Sequence, residues 1–142
     1  MKQNSDNFYW KLWLVTVLLL VLTKVVAGKR LDENSLFILF SSYIIPVWLW
    51  VMYLNYRKGH DLMSYLKENH RKKWEEITYI PFFGSGGINS FKSLPFVYSN
   101  DDLSDDNIKE LKKSYRKLIN FALVVFVSAI PLFLLVMVQW QR

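Results

Sequence analysis

Three long apolar runs constrain this 142-residue chain more than any other feature. They extend from Phe8 to Gly28, from Leu36 to Tyr56 and from Leu118 to Trp140. Each run is close to the roughly 20 residues with which an α-helix crosses about 30 Å of hydrocarbon. The runs therefore predict an all-α integral membrane protein with three transmembrane helices.

The connection between the first two runs, about Lys29 to Ser35, is too short for anything except an antiparallel helical hairpin. Asp32 to Ser35 supply caps for the incoming helix. Three regions follow from this pattern. Residues 1–56 form an N-terminal segment and the hairpin, residues 57–117 form a polar loop, and residues 118–142 form the third transmembrane helix and the C-terminus.

The first run has an alternative interpretation as a cleaved signal peptide. Met1 to Lys11 is a weakly basic lead, Leu12 to Thr23 is an apolar core, and Val25-Val26-Ala27 fits a small-residue cleavage site. Lys24 interrupts the segment just before that site, which favours an uncleaved span. Both interpretations leave the polar loop on the same side of the membrane.

Positive charge predicts the orientation. Twelve of the 18 Lys and Arg residues lie between Arg57 and Lys117, whereas the opposite side carries only Lys29, Arg30 and Arg142. Positive charge beside membrane spans is retained in the cytoplasm. We therefore expect a multi-pass protein of the cell inner (plasma) membrane whose N-terminus and long loop are cytoplasmic and whose C-terminus is outside. The same rule accounts for the net charge of +6 without a nucleic-acid partner.

The residue types limit the chemistry that we expect. The absence of cysteine excludes disulfides, thiolate zinc sites, cysteine-ligated iron–sulfur clusters and cysteine nucleophiles. His60 and His70 are ten residues apart in the polar loop, so they do not form an i, i+4 metal pair on a helix. No Asp, Glu, His or Arg lies mid-span, where a proton relay would need one. The chain is expected to be no enzyme and to bind no metal or cofactor.

The polar loop begins with an amphipathic pattern. A helix is predicted from Asp61, a suitable cap, to about Tyr79. Five of its residues form one narrow stripe, namely Met63, Leu66, His70, Trp74 and Ile77. Arg71, Lys72 and Lys73 form a basic cluster beside the stripe. Such a helix is expected to lie on the membrane surface, to dock on its own spans or to bind another protein.

A second amphipathic helix is predicted to begin at Ser104-Asp105-Asp106, with a cap and an acidic first turn. Its apolar stripe continues into the third run, and its other side carries basic residues that suit the headgroup zone. The stripe consists of Ile108, Leu111, Tyr115 and Leu118, and the basic side includes Lys112, Lys113, Arg116 and Lys117. For the nearby acidic cluster, Asp101 to Asp106, helix capping is favoured over a divalent-cation site because the EF-hand spacing is missing.

Between the two predicted helices, Ile80 to Asn100 is expected to be irregular. Gly84-Ser85-Gly86-Gly87 lacks the spacing and the following Lys-Ser/Thr of a phosphate loop. We interpret it as a turn that lets apolar side chains such as Phe82 and Phe83 re-enter the membrane interface. Whether these glycines bind an anion stays open at this stage.

The segment from Tyr65 to Glu76, YLKENHRKKWEE, is followed by an apolar loop and by Asp105 to Leu118 leading into a terminal span. This arrangement resembles small bacterial membrane proteins grouped with universal stress protein B, over about half of the chain. The resemblance implies a mostly helical loop between apolar end segments, with no catalytic residues to carry over. This chain differs from that pattern by an additional early span.

These observations predict a non-enzymatic inner-membrane accessory or scaffold protein. Its basic amphipathic loop is expected to contact lipid headgroups and a partner protein or further copies of the chain. The expected contact residues are Met63, Leu66, His70, Arg71, Lys72, Lys73, Trp74, Ile77, Lys112, Lys113, Arg116 and Lys117. One alternative is a small oligomeric, holin-like pore around Ser41, Ser42, Asn120 and Ser128. A lipid-handling enzyme that uses the histidines and the acidic cluster is the least favoured class.

Overall fold

The computed structural model describes residues 5–27, 31–86 and 89–138. Five helices follow one another, and across these ranges the extended backbone is limited to an isolated bridge between Ile80 and Gly84. The prediction of an all-α chain is confirmed. The helices are α1 (Ser5–Ala27), α2 (Glu33–Asn69), α3 (Arg71–Thr78), α4 (Ser90–Tyr98) and α5 (Asp106–Met137).

Three of these helices are long and apolar enough to cross a membrane. The candidate spans are Phe8–Ala27, Asn34–Asn69 and Asp106–Met137. The prediction of three such helices is confirmed, and α5 runs without a break from the polar loop into the third apolar run, as expected.

Two predicted helix caps are confirmed. Asp32 Oδ1 accepts a hydrogen bond from the Ser35 backbone N–H at 3.1 Å, immediately before α2. Asp105 Oδ1 accepts one from the Asn107 backbone N–H at 2.8 Å, immediately before α5. Each carboxylate satisfies a first-turn N–H group that has no partner inside its helix.

The predicted start of the loop helix at Asp61 is wrong, because Asp61 lies inside α2. Extending an existing helix costs less than nucleating a new one, so α2 continues past the end of its apolar run. The expectation that Ile80 to Asn100 is irregular throughout is also wrong, because α4 (Ser90–Tyr98) lies within this stretch and contains Pro95. Pro95 has no N–H to donate to the preceding turn, and its ring crowds the carbonyl four residues earlier. The last turn of α4 is nevertheless closed by hydrogen bonds from the Ser99 N–H to the carbonyls of Pro95 at 2.8 Å and Phe96 at 3.2 Å.

The chain divides into two compact units. Met1–Met52 and Asn120–Arg142 form one, which we call the apolar unit, and Tyr53–Ile119 forms the other, which we call the polar unit. Helices α2 and α5 contribute residues to both units.

The apolar unit joins its three helices through a seam of aromatic contacts. The ring centroids of Tyr9 and Trp50 are 5.6 Å apart, and those of Trp48 and Phe126 are 4.9 Å apart. Trp13, Leu20, Leu36, Ile44, Val51, Phe121, Val125, Ala129 and Val136 are buried in this unit. Many other large apolar side chains point outward, including Leu14, Leu18, Val26, Ile38, Leu49, Val127 and Ile130.

The polar unit has a hydrophobic core of the kind found in soluble domains. Helices α2, α3, α4 and α5 all contribute to it, and each fully buried aliphatic side chain stabilises the fold by about 1.5–3 kcal/mol. Its buried members are Leu62, Leu66, Ile77, Phe96, Val97 and Ile108.

Helices α3 and α4 pack against each other as an antiparallel pair. At one end, the Lys92 ammonium lies 5.1 Å from the centroid of the Tyr79 ring. At the other end, the Lys73 ammonium lies 5.7 Å from the centroid of the Phe96 ring. The start of α4 therefore lies beside the end of α3, and the end of α4 lies beside the start of α3.

Candidate functional site

The predicted apolar stripe of the polar loop lies inside the polar unit. Leu66 and Ile77 are buried in the core, and Met63 and Trp74 pack against that core. The expectation that Leu66 and Ile77 contact lipid or a partner is therefore wrong. Because the polar unit has other apolar helices to cover this stripe, the stripe is used for folding.

The stripe can turn inward because the predicted single helix is broken at His70, whose backbone adopts φ −135° and ψ 54°. Helix α2 ends with a hydrogen bond from the His70 N–H to the Leu66 carbonyl at 2.8 Å. Helix α3 starts with one from the Trp74 N–H to the His70 carbonyl at 3.0 Å. The Asn69 side chain also donates to the Tyr65 carbonyl at 3.0 Å, which caps the last turn of α2.

A polar network joins this break to the start of α5, and we call it the latch. His70 Nε2 lies 2.9 Å from Asp105 Oδ2, and the Tyr65 hydroxyl donates to the same oxygen at 3.0 Å. The Asn107 side-chain N–H donates to the Tyr65 hydroxyl at 3.0 Å. The hydrogen bond with His70 is the main reason that the pKa of Asp105 lies below its ordinary value of 3.8, and bonds from Asn107 and Tyr65 act in the same direction.

The latch contains an Asp–His pair, which in hydrolases orients a nucleophile. The Ser64 hydroxyl does lie near a histidine, at 3.4 Å from Nδ1 of His60. His60, however, is not part of the latch. The bonds of His70, Tyr65 and Asp105 described above join the end of α2 to the start of α5. This geometry supports a structural connection between the two helices.

Lys112 occupies an unexpected position. Its side chain is 0% exposed, and its Nζ lies 2.9 Å from the carbonyl oxygens of both Ser99 and Asp101. Asp102 Oδ1 is 3.1 Å from the same ammonium, and the centroid of the Phe96 ring is 4.4 Å away. The prediction that Lys112 contacts headgroups is wrong, because the segment after α4 covers this lysine with carbonyl and carboxylate oxygens.

Three of the four aspartates in the predicted acidic cluster belong to separate pairs. Asp101 pairs with Lys73 at 3.3 Å, Asp102 with Lys112 and Asp105 with His70. The pKa of Lys73 is raised, mainly by its hydrogen bond with Glu76. Across the described part of the chain, no group of three or more His, Cys, Asp or Glu residues could hold a metal ion.

The remaining predicted contact residues stay at or near the surface. Arg71, Lys72, Lys113 and Lys117 are exposed, whereas Met63, His70, Lys73, Trp74 and Arg116 are half-buried. The Arg71 guanidinium pairs with Glu75 at 3.0 Å on the exposed side of α3. The structure therefore leaves a charged surface available but uses most of the apolar stripe internally.

The segment between α3 and α4 and the first turn of α4 carry exposed aromatic residues. Phe82 and Phe83 were expected at the membrane interface, whereas Phe91 was not. We call the described residues of this segment, Tyr79 to Gly86 and Asn89, together with Phe91 on the first turn of α4, the hairpin tip. The Ile80 carbonyl accepts hydrogen bonds from the N–H groups of Phe83 at 3.1 Å and Gly84 at 3.0 Å, which confirms a turn here. Gly84 and Gly86 have φ values of 81° and 110°, and Gly87 lies outside the described residues. The signal available in the sequence was Ile80-Pro81-Phe82-Phe83, which suits a proline-initiated turn.

No protein-family model, curated protein or solved structure matches this chain.

Proposed function

We propose that this chain is a multi-pass protein of the bacterial inner (plasma) membrane, acting as a non-enzymatic accessory or scaffold protein. Helices α1, α2 and α5 would provide the three spans, with α1 and α2 forming an antiparallel hairpin. The N-terminus and the polar unit would be cytoplasmic and the C-terminus outside. The polar unit would contact lipid headgroups and a partner protein.

The outward-facing apolar side chains of the apolar unit carry this proposal. Leu14, Ile38 and Ile130 are each exposed on a different helix of that unit. Exposed apolar area costs about 25 cal/mol per Å² in water, and a surface of this kind on three long helices suits lipid. The hairpin is supported by the pairing of Tyr9 with Trp50 and of Thr23 with Tyr43, since the later α1 residue contacts the earlier α2 residue.

The non-enzymatic part of the proposal is supported by how the polar unit uses its reactive side chains. His70 and Asp105 connect two helices, and Lys112 holds the segment after α4. Exposed charges of α3 and α5, such as Lys72 and Lys113, would contact headgroups and a partner. The resemblance to proteins grouped with universal stress protein B stays a prediction.

Cysteine labelling tests the membrane topology directly, because the chain has no cysteine of its own. Asn100→Cys should react with a membrane-impermeant maleimide only after the cells are opened. A matched variant, Arg142→Cys, should react in intact cells. The opposite pattern would reject the orientation, and a protein released from membranes by carbonate would reject the proposal as a whole.

Purification in a mild detergent without crosslinker tests the accessory role. We expect a second protein or further copies of the chain to copurify, and to be lost when Arg71 and Lys72 are both changed to Glu. A strictly solitary monomer would contradict this role. Ion conductance in liposomes containing the purified chain would instead favour the pore alternative.

A further inference from the structure

We propose that the hairpin tip inserts Phe82, Phe83 and Phe91 into the headgroup and acyl-chain boundary of the membrane that the three spans cross. This inference rests on the membrane insertion proposed above and adds a specific lipid-contacting element to it. The tip would contact the lipid bilayer, and this contact would hold the polar unit against the inner surface.

The first observation is the exposure of the three phenylalanines. Phe82, Phe83 and Phe91 are 103%, 87% and 94% exposed, which makes them the most exposed large apolar side chains among the described residues of the polar unit. The unit has a well-formed core elsewhere, with Phe96 buried one helical turn and a residue beyond Phe91. The core therefore does not account for aromatic residues at the tip.

The second observation is the backbone of Phe82, which has a φ of 71°. Phe82 follows Pro81 in a turn closed by the bond from the Phe83 N–H to the Ile80 carbonyl. This is the third position of a type II turn, where glycine or asparagine is favoured because the position requires a positive φ. Neither internal packing nor local conformation favours phenylalanine there, so the side chain itself points to an external contact.

The tip is held in place by hydrogen bonds to the end of α3. The Gly86 N–H donates to the Thr78 hydroxyl at 3.1 Å, and the Ser85 hydroxyl donates to the Glu75 carbonyl at 3.2 Å. The Asn89 side chain donates to the Tyr79 carbonyl at 2.7 Å. A tip fixed in this way presents its aromatic rings without a large loss of conformational entropy on binding.

The tip lies at the end of the α3 and α4 pair that is opposite the latch. Helix α2 ends and α5 begins at the latch, and α3 also begins there. The phenylalanines thus lie at the end of this pair that is away from the latch.

Charge also suits a lipid surface. The polar unit carries 12 Lys and Arg residues against nine Asp and Glu residues, which gives it a net charge of +3. At the tip itself, Lys92 directly follows Phe91. Basic residues beside exposed aromatic rings match the anionic headgroups and the acyl boundary of a cytoplasmic leaflet. This complementarity favours lipid over a protein as the occupant.

Single-cysteine variants of the full chain test the proposal in lipid nanodiscs that contain equal parts of phosphatidylcholine and phosphatidylglycerol. Phe83→Cys and Phe91→Cys are labelled with an environment-sensitive fluorophore and compared with Glu68→Cys at the latch end. We expect nitroxide placed high on the lipid acyl chains to quench both tip labels several-fold more than the Glu68→Cys label. Leu18→Cys, on the exposed side of α1, serves as the control for membrane insertion.

The outcomes separate the two proposals. Quenching at Leu18→Cys without quenching at the tip would overturn the tip proposal while membrane insertion stands. No quenching at Leu18→Cys would reject membrane insertion itself. A tip label that is shielded from water but unaffected by lipid nitroxide would show that a protein covers the tip, which also overturns the proposal.

A triple variant supplies a second test. Phe82→Gly removes the ring and suits the positive φ, so combining it with Phe83→Ser and Phe91→Ser leaves the fold of the polar unit intact. Trypsin can cleave at Lys92, the one Lys or Arg between Lys73 and Lys109. We expect cleavage at Lys92 in nanodiscs to become several-fold faster in the triple variant. An unchanged rate would contradict lipid contact at the tip.

Discussion

The two units share helices α2 and α5 but direct their apolar side chains differently. On α2, Leu49 is exposed in the apolar unit, whereas Leu66 is fully buried in the polar unit. On α5, Ile130 is exposed and Ile108 is buried. The same helix therefore serves a lipid-compatible surface over one part of its length and a water-compatible core over the other.

This difference shows that a change from exposed to buried apolar side chains does not require a break in the helix. Helical backbone satisfies its own hydrogen bonds in lipid and in water alike. Only the side-chain pattern has to change, and it changes near Met52 on α2 and near Asn120 on α5. The helix break at His70 has a different effect. It allows α3 to pack on the core of the polar unit.

The largest expected effect comes from one substitution made at two positions of α2. Leu66→Ala should destabilise the polar unit by about 3–4 kcal/mol, because it opens a cavity in the core. Leu49→Ala should change the free energy of unfolding in detergent by less than about 0.5 kcal/mol. Thermal unfolding of both variants measures the contrast. Similar losses at the two positions would remove the distinction between the units.

A charge placed on the exposed surface of the apolar unit tests the other side of the comparison, namely whether that surface faces lipid. Ile45→Arg, on the exposed side of α2, should make membrane insertion less favourable by about 3 kcal/mol. Asn100→Arg, exposed in the polar unit, should leave insertion unchanged. The fraction of each variant that resists carbonate extraction gives the result. Equal extraction of the two would indicate that Ile45 does not face lipid.

Lys112 provides the next prediction. Lys112→Met keeps the apolar stem but removes the donor for the carbonyls of Ser99 and Asp101, and we expect a loss of about 2 kcal/mol in stability. Its exposed neighbour offers a matched control, since Lys113→Met should cost less than about 0.5 kcal/mol. Chemical unfolding followed by tryptophan fluorescence measures both. A neutral Lys112→Met would mean that its ion pair and hydrogen bonds contribute little.

The smallest expected effect concerns the latch and depends on pH. The pKa of Asp105 is lowered in the folded state, so its contribution to stability is present above the ordinary value of 3.8 and is lost as pH falls through the lowered pKa. Asp105→Asn should therefore reduce stability at neutral pH, and its difference from the wild type should shrink in acid. Melting temperatures of the two proteins between about pH 7 and pH 3 test the sign. A difference that grows in acid would contradict the latch.

Local features of the fold could be predicted from the sequence, for reasons that act over a few residues. The apolar runs exceed the length of a lipid-spanning helix, and the carboxylates of Asp32 and Asp105 stand where a helix start needs an acceptor. The continuation of α2 past Asp61 could not be predicted, because the loop sequence is equally compatible with a new helix. The helix around Pro95 could not be predicted either, because proline inside a short segment usually indicates that no helix forms there.

The candidate site was harder to predict because its contacts join distant residues. His70 and Asp105 are 35 residues apart, and neither has a local pattern that indicates the other. Lys112 belongs to a run of basic residues that predicts a solvated surface, and only the segment after α4 shows that it is enclosed. The exposure of Phe91 was likewise hidden, since a phenylalanine in a loop is as compatible with burial as with a surface.

The sequence by itself determined the helical class, the three apolar helices and two of the caps, because hydrophobic length and first-turn hydrogen bonding are properties of adjacent residues. Tertiary structure alone decided that the Leu66 and Ile77 stripe is internal, that Lys112 is buried and that Phe91 is exposed. The physical reason is that periodicity places residues on one side of a helix but does not specify what covers that side. Covering depends on where the chain turns, and here it turns at His70.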